Sequence, residues 1–108
     1  MEFFIVMDKA TLGQGVFGIF STMQKAEVFS AELYREKHFH SQIVISSLVG
    51  SHDEGITVVY AAHLHDTFYD CEIFYGIYSH NDLAYDAVGD RGLIFQFVID
   101  RPESRKLV

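Results

Sequence analysis

The segment Phe17-Gly18-Ile19-Phe20-Ser21, with Ala26 five residues after the serine, returns as Tyr75-Gly76-Ile77-Tyr78-Ser79 with Ala84. A chain of 108 residues and 12.3 kDa has room for one domain with one core, so two copies of a small unit would have to share it. The surroundings of the motif follow the same order in both halves. Phe3 to Met7 is a β-forming run, Gly13 and Gly15 supply a turn, and Val16 to Phe20 completes a hairpin. Ser21 with Gln24 matches a capping box. Ala26, Phe29, Ser30 and Leu33 then fall at i, i+3, i+4, i+7, the stripe of a helix reaching about Lys37. Ile43 to Val49 is the third strand. After a joint from Gly50 to Gly55 come the strand Ile56 to Leu64, a polar turn from Asp66 to Asp70, and the strand Cys71 to Tyr78. A helix capped by Ser79 and stopped by Gly89 carries Leu83, Ala84, Ala87 and Val88. Leu93 to Ile99 is the last strand, and Arg101-Pro102 ends it.

The expectation is an α+β domain made by tandem duplication of a β-β-α-β unit, over residues 1–50 and 56–101. It has six strands in a mostly antiparallel sheet, two helices on one face, and a loose tail over 102–108. Gly18 and Gly76 stand mid-strand, where glycine costs stability. They read, with Ser21 and Ser79, as structural residues at bulges or close backbone approaches. The last strand has Leu93, Phe95, Phe97 and Ile99 on one face and Ile94, Gln96 and Val98 on the other. A strand apolar on both faces is covered on both, and two helices cover only one face of a sheet. The sheet must therefore fold over itself or meet a second subunit, and a homodimer through the apolar face is the expectation.

Hydrophobic residues at 49% and aromatics at 15% argue against disorder. No apolar run reaches the roughly 18 residues of a membrane span, and Met-Glu-Phe-Phe lacks the basic start of a leader. Cys71 is the single cysteine, which excludes an internal disulfide and fits a reducing, cytoplasmic setting. The net charge of −7 is uneven: five acids and four bases in residues 1–50, ten acids and four bases in 51–108. No Lys or Arg occurs between Lys37 and Arg91, where Asp53, Glu54, Asp66, Asp70, Glu72, Asp82, Asp86 and Asp90 fall. Such a field repels nucleic-acid phosphates and favours a basic protein or a divalent cation. Its extreme form would be a mimic of nucleic-acid charge that blocks a DNA-binding or defence protein.

Gly13-Gln14-Gly15-Val16-Phe17-Gly18 matches G-x-G-x-x-G, but a strand follows it where the dinucleotide version needs a helix N-terminus, and a hairpin turn is the better reading. His38 and His40, and likewise His63 and His65, are spaced to share a strand face. His63, His65, Asp66, Asp70 and Cys71 are ligand types that a hairpin could bring together on zinc or another divalent metal, as a metal-binding protein or metal-dependent enzyme. No C-x-x-C or H-E-x-x-H pattern completes the set. His63 or His65 could activate Cys71 across the hairpin, but a lone cysteine is more often a small buried hydrophobe, and no serine has a Gly-x-Ser-x-Gly context, so no catalytic residue is assigned and the chain reads as non-enzymatic.

Residues 16–26 and 74–84 resemble a small domain of uncharacterised bacterial and phage proteins, in which a strand ending Gly-hydrophobic-aromatic-Ser leads into a helix marked by Ala. The resemblance implies a small α+β unit of a phage or mobile element; it carries no assigned activity, so no functional residue transfers from it. The expectation for function is a small acidic cytoplasmic module acting through protein contacts. Binding of a small apolar ligand between the sheet and its cover is a further option.

Overall fold

The computed structural model describes residues 1–9, 15–51, 57–68, 70–102 and 104–108, with the backbone but not the side chain of Cys71. The turn residues Gly13 and Gln14 and most of the joint, 52–56, lie outside the described residues. The elements run β1 (Glu2–Asp8), β2 (Val16–Phe20), α1 (Met23–Lys37), β3 (Ser41–Val49), β4 (Val58–Asp66), β5 (Cys71–Tyr78), α2 (Asn81–Val88), β6 (Leu93–Val98) and β7 (Lys106–Leu107), with a 3-10 turn at Gly89–Arg91. All strands join one sheet in the order β2-β1-β3-β5-β4-β6-β7. Every neighbouring pair is antiparallel except β3 and β5, which are parallel.

This corrects the expected architecture. Seven strands form one curled, mixed sheet, in place of six strands built as a tandem β-β-α-β pair, and the class remains α+β. The extra strand comes from the tail expected to be loose. Lys106 and Leu107 pair with Gln96 and Phe95. The Val108 N–H donates to Ile94 O at 3.0 Å, and Ser104 Oγ accepts from Val98 N–H at 2.9 Å. A two-residue strand carries no periodicity, so only its tertiary partner reveals it. The curl is fixed where the Asp100 N–H donates to Ile19 O at 2.9 Å, bringing the end of β6 to β2.

The curl answers why β1 is apolar on both faces. Phe3, Ile5 and Met7 point inward with Val16, Ile19, Val59, Ala61, Ile77 and Phe97, all buried, to form the main core. Val6 points outward, where with Phe20 it meets Ala26, Phe29 and Leu33 of α1. Ala84 and Val88 of α2 cover Ala62, Tyr78 and Ile94 on that same outer face. Ala26 and Ala84 are fully buried, their small side chains letting each helix lie close to the sheet. A buried Phe such as Phe3 or Phe97 contributes about 2 to 3 kcal/mol relative to exposure. The inner strand face that suggested a second copy is thus covered within the chain.

The strands β2 and β5 bulge at Phe17 and Tyr75, so Val16 pairs with Met7 while Gly18 pairs with Val6, and Phe74 with His63 while Gly76 pairs with Ala62. At Gly18 a Cβ would come 2.8 Å from the Phe20 ring and 3.5 Å from that of Phe29, so the bare backbone makes room for both rings. The expected caps shift by one residue. Thr22 is the N-cap of α1, its Oγ1 accepting from Lys25 N–H at 3.3 Å, while Ser21 turns to Asp100. His80 is the N-cap of α2 without a side-chain cap bond, and Ser79 is buried with its Oγ 2.7 Å from His80 Nδ1. Gly89 ends α2 at φ 66°, where glycine is unstrained.

Candidate functional site

The five residues considered as metal ligands sit in different environments. His63 lies on the inner face of β4, 1% exposed, edge-on to the rings of Phe74 and Phe95 at 5.8 and 5.4 Å. His65 stands at the rim of the same face, its Nε2 3.2 Å from Asp70 Oδ1 and its Nδ1 3.2 Å from Glu72 Oε1. Asp66 accepts from the Phe68 N–H at 2.8 Å and shapes the turn. The side chain of Cys71 is outside the described part. Among the described residues no group of three or more His, Cys, Asp or Glu side chains is placed to hold a metal ion. Both nitrogens of His65 already face carboxylates, so a metal would first have to displace those contacts.

Neither ring nitrogen of His63 has a hydrogen-bond partner, and the same holds for the buried Oε2 of Glu72. Burial lowers the His63 pKa below 6.5. The Ala61 and Leu93 carbonyls and the Glu72 carboxylate favour the charged ring, and Arg105, stacked 5.0 Å over Phe95, opposes it. The folded ring is therefore neutral at pH values where the unfolded ring takes a proton. Its effect on stability is constant above about pH 6.5, and stability falls as pH drops from there toward the folded pKa. His63→Leu removes this slope and an unpaired polar group, and is expected to raise stability by about 1 kcal/mol at pH 7.5 and by more at pH 5.5. Urea midpoints of both proteins at the two pH values check this; an equal gain at both would exclude it.

A different feature concerns the middle of the sheet. The strands β3 and β5 pair at only two positions, Leu48 with Ile77 and Val49 with Tyr78. Among the described residues, β3 from Ser41 to Ser47 is laddered to β1 alone, and β5 below Ile77 to β4 alone. The two parallel strands therefore form a fork. Although β3 is the third strand of seven, none of its residues is fully buried. The Leu48 N–H donates to Met1 O at 2.8 Å, which turns the even-numbered residues of β3 toward β1. The Val49 carbonyl accepts from Ser79 N–H at 2.9 Å on the opposite edge. By strand alternation, the backbone N–H and C=O of Ile43 and Ile45 and the N–H of Ser47 face the fork, the Ser47 C=O being taken up where Leu48 pairs with Ile77. Such a row is a template for another strand.

Beside the fork, between α1 and the start of β3, lies an open hollow of about 330 Å³ lined by Glu27, Ala31, Tyr34, Phe39, His40 and Ile43. Ser30 Oγ lies 2.5 Å from Ser41 Oγ and pins the helix to the strand. A second hollow, about 430 Å³, opens on the far side of Phe39, which stacks on Phe17 at 5.9 Å. Here the pair His38 and His40 contributes, both rings lying against Tyr34. His38 ends α1 at φ 57°, so the two histidines do not share a strand face. At the other end of the curl a hollow of about 290 Å³ is bounded by Phe3, Ile99, Ser21 and Asp100.

The sequence reading did not single out Tyr34, Phe39 or the β3 edge. An aromatic at the end of a helix and another just beyond it carry no pattern, and the fork exists only because segments from separate halves meet. The Lys- and Arg-free interval was the available signal, since β3, β4 and β5 all lie inside it. Among the described residues no helix is long and apolar enough to cross a membrane. Neither a family model, nor a curated protein, nor a solved structure matches this chain, so its own residues carry the functional reading.

Proposed function

We propose that this chain is a non-enzymatic protein-binding module that accepts an extended segment of a partner along the free edge of β3. The single observation behind it is the fork, a central strand that among the described residues is laddered on one side only over Ser41–Ser47. Strand addition uses main-chain hydrogen bonds for docking and alternate side chains for selection. Each ladder bond contributes about 1 kcal/mol net while ordering each residue costs about as much, so side chains decide affinity. Facing the fork from within are Val44, Leu48 and Phe74, which pack against the main core. The partner strand is therefore apolar on its inner side. Its net charge is positive, as complement to the chain's own net −7. A second copy would bring a net −7 against −7, which disfavours the homodimer as occupant.

The test is amide exchange followed by NMR, with an eight-residue peptide of alternating valine and arginine as probe. Its addition is expected to slow exchange at Ile43, Ile45 and Ser47 by about tenfold or more. Unchanged exchange at these amides would overturn the reading. So would a free protein that is dimeric in solution with the same three amides already protected.

A further inference from the structure

We infer that the hollow between α1 and the start of β3 is the specificity subsite of the added strand and takes an arginine or lysine side chain. This rests on the strand-accepting reading above and names what the strand must carry. Side chains of a strand laid on β3 alternate between the two faces of the sheet. Those on the inner face meet Val44 and Phe74, so polar residues of the partner fall on the outer face, beside Ile43. There the neighbouring groups are Glu27, Tyr34, Phe39 and His40, with the Ser30 and Ser41 hydroxyls between helix and strand. Among the described residues no ion pair engages Glu27. Tyr34 and Phe39 are 52% and 47% exposed, so each side chain keeps accessible surface beside its ring contacts. A carboxylate with two half-exposed aromatic side chains beside apolar Ile43 suits a guanidinium or ammonium on an aliphatic stem. The Ser30–Ser41 contact holds the helix and strand that form the hollow, so the subsite is built before the partner arrives.

The experiment compares two eight-residue peptides, alternating valine with arginine and valine with glutamine, on the full chain and on Glu27→Gln. Affinity comes from titration, and exchange at Ile43, Ile45 and Ser47 reports strand addition independently. The arginine peptide is expected to bind the unaltered protein more tightly. Glu27→Gln should weaken it about fivefold, as for one half-exposed ion pair, and leave the glutamine peptide unchanged. Tyr34→Ala should weaken the arginine peptide by a further factor of about three. If both peptides protect the three amides and bind equally, or lose equally on Glu27→Gln, the subsite is wrong while strand addition stands. If neither peptide protects them, strand addition fails and the subsite with it. Glu27 is solvent-exposed, so Glu27→Gln keeps the fold, and an unchanged thermal midpoint verifies that.

Discussion

Gly50→Ala is expected to cost the fold about 3 kcal/mol or more. Gly50 follows β3 with φ 111°, a conformation that L side chains rarely adopt. A Cβ there would fall 2.0 Å from Ser79 Oγ, 2.8 Å from Leu83 Cδ1 and 3.1 Å from Ser79 Cβ. Ser79 cannot retreat, because it is buried and its N–H donates to Val49 O at 2.9 Å. This is the place where β3 and β5 are joined, and the fork begins just below it. The loss should lower the thermal midpoint by on the order of 15 °C, and amide exchange should rise more at Tyr78 and Ser79 than at Ile5 of the core. Ser79→Ala added to Gly50→Ala should recover part of the loss, since it removes the nearest atom and leaves the backbone strain. A cost below about 1 kcal/mol in urea unfolding would show that the joint yields and that the fork is not rigidly hinged.

The elements themselves were largely written in local pattern. The strand Val16–Phe20 and the end of α1 at Lys37 coincide with the periodic runs read from the sequence. Their assembly was not local. Both faces of β1 and β6 are apolar, which says that each is covered, but not by what. The covering depends on bulges at Phe17 and Tyr75 and on the Asp100–Ile19 bond, contacts between residues far apart in the chain. Ser21 illustrates the same limit. Its place before a helix suggested a cap, yet the adjacent Thr22 serves as well, and a distant carboxylate claims Ser21 instead.

The candidate site divides along the same line. The absence of Lys and Arg between Lys37 and Arg91 could be counted in the sequence, and it leaves both strands of the fork without a basic residue. The opening between those strands could not, because strand pairing across the sheet decides it. His63 shows how a correct face assignment misleads about role. The i, i+2 spacing does put His63 and His65 on one face of β4. That face turns into the core at His63 and reaches the rim at His65, so one imidazole is dry while the other meets carboxylates.

Asp100→Ala is expected to cost about 3 kcal/mol, because one side chain both closes the curl and secures the entry to α1. Asp100 Oδ1 accepts from Ser21 N–H at 2.7 Å, and Oδ2 accepts from Ser21 Oγ at 2.7 Å and Lys25 Nζ at 3.0 Å. Its backbone holds φ 63°, which Asp tolerates better than Ala. Asp100→Gly removes the same bonds but relieves the backbone, so it should be about 1 kcal/mol more stable than Asp100→Ala. The ion pair adds little, since Lys25 is half exposed. Partial burial pushes the Asp100 pKa up, but the Ser21 hydroxyl, the Ser21 N–H and Lys25 outweigh it and hold the carboxyl below its ordinary 3.8. The unfolded carboxyl then takes a proton first. The stabilisation is whole above about pH 4 to 5 and is lost as pH falls through the folded pKa. Stability against urea from pH 7 to pH 2.5 should therefore show the unaltered protein and Asp100→Asn converging at the acid end. A constant gap down to pH 2.5 would mean that charge on Asp100 plays no part in keeping the sheet curled.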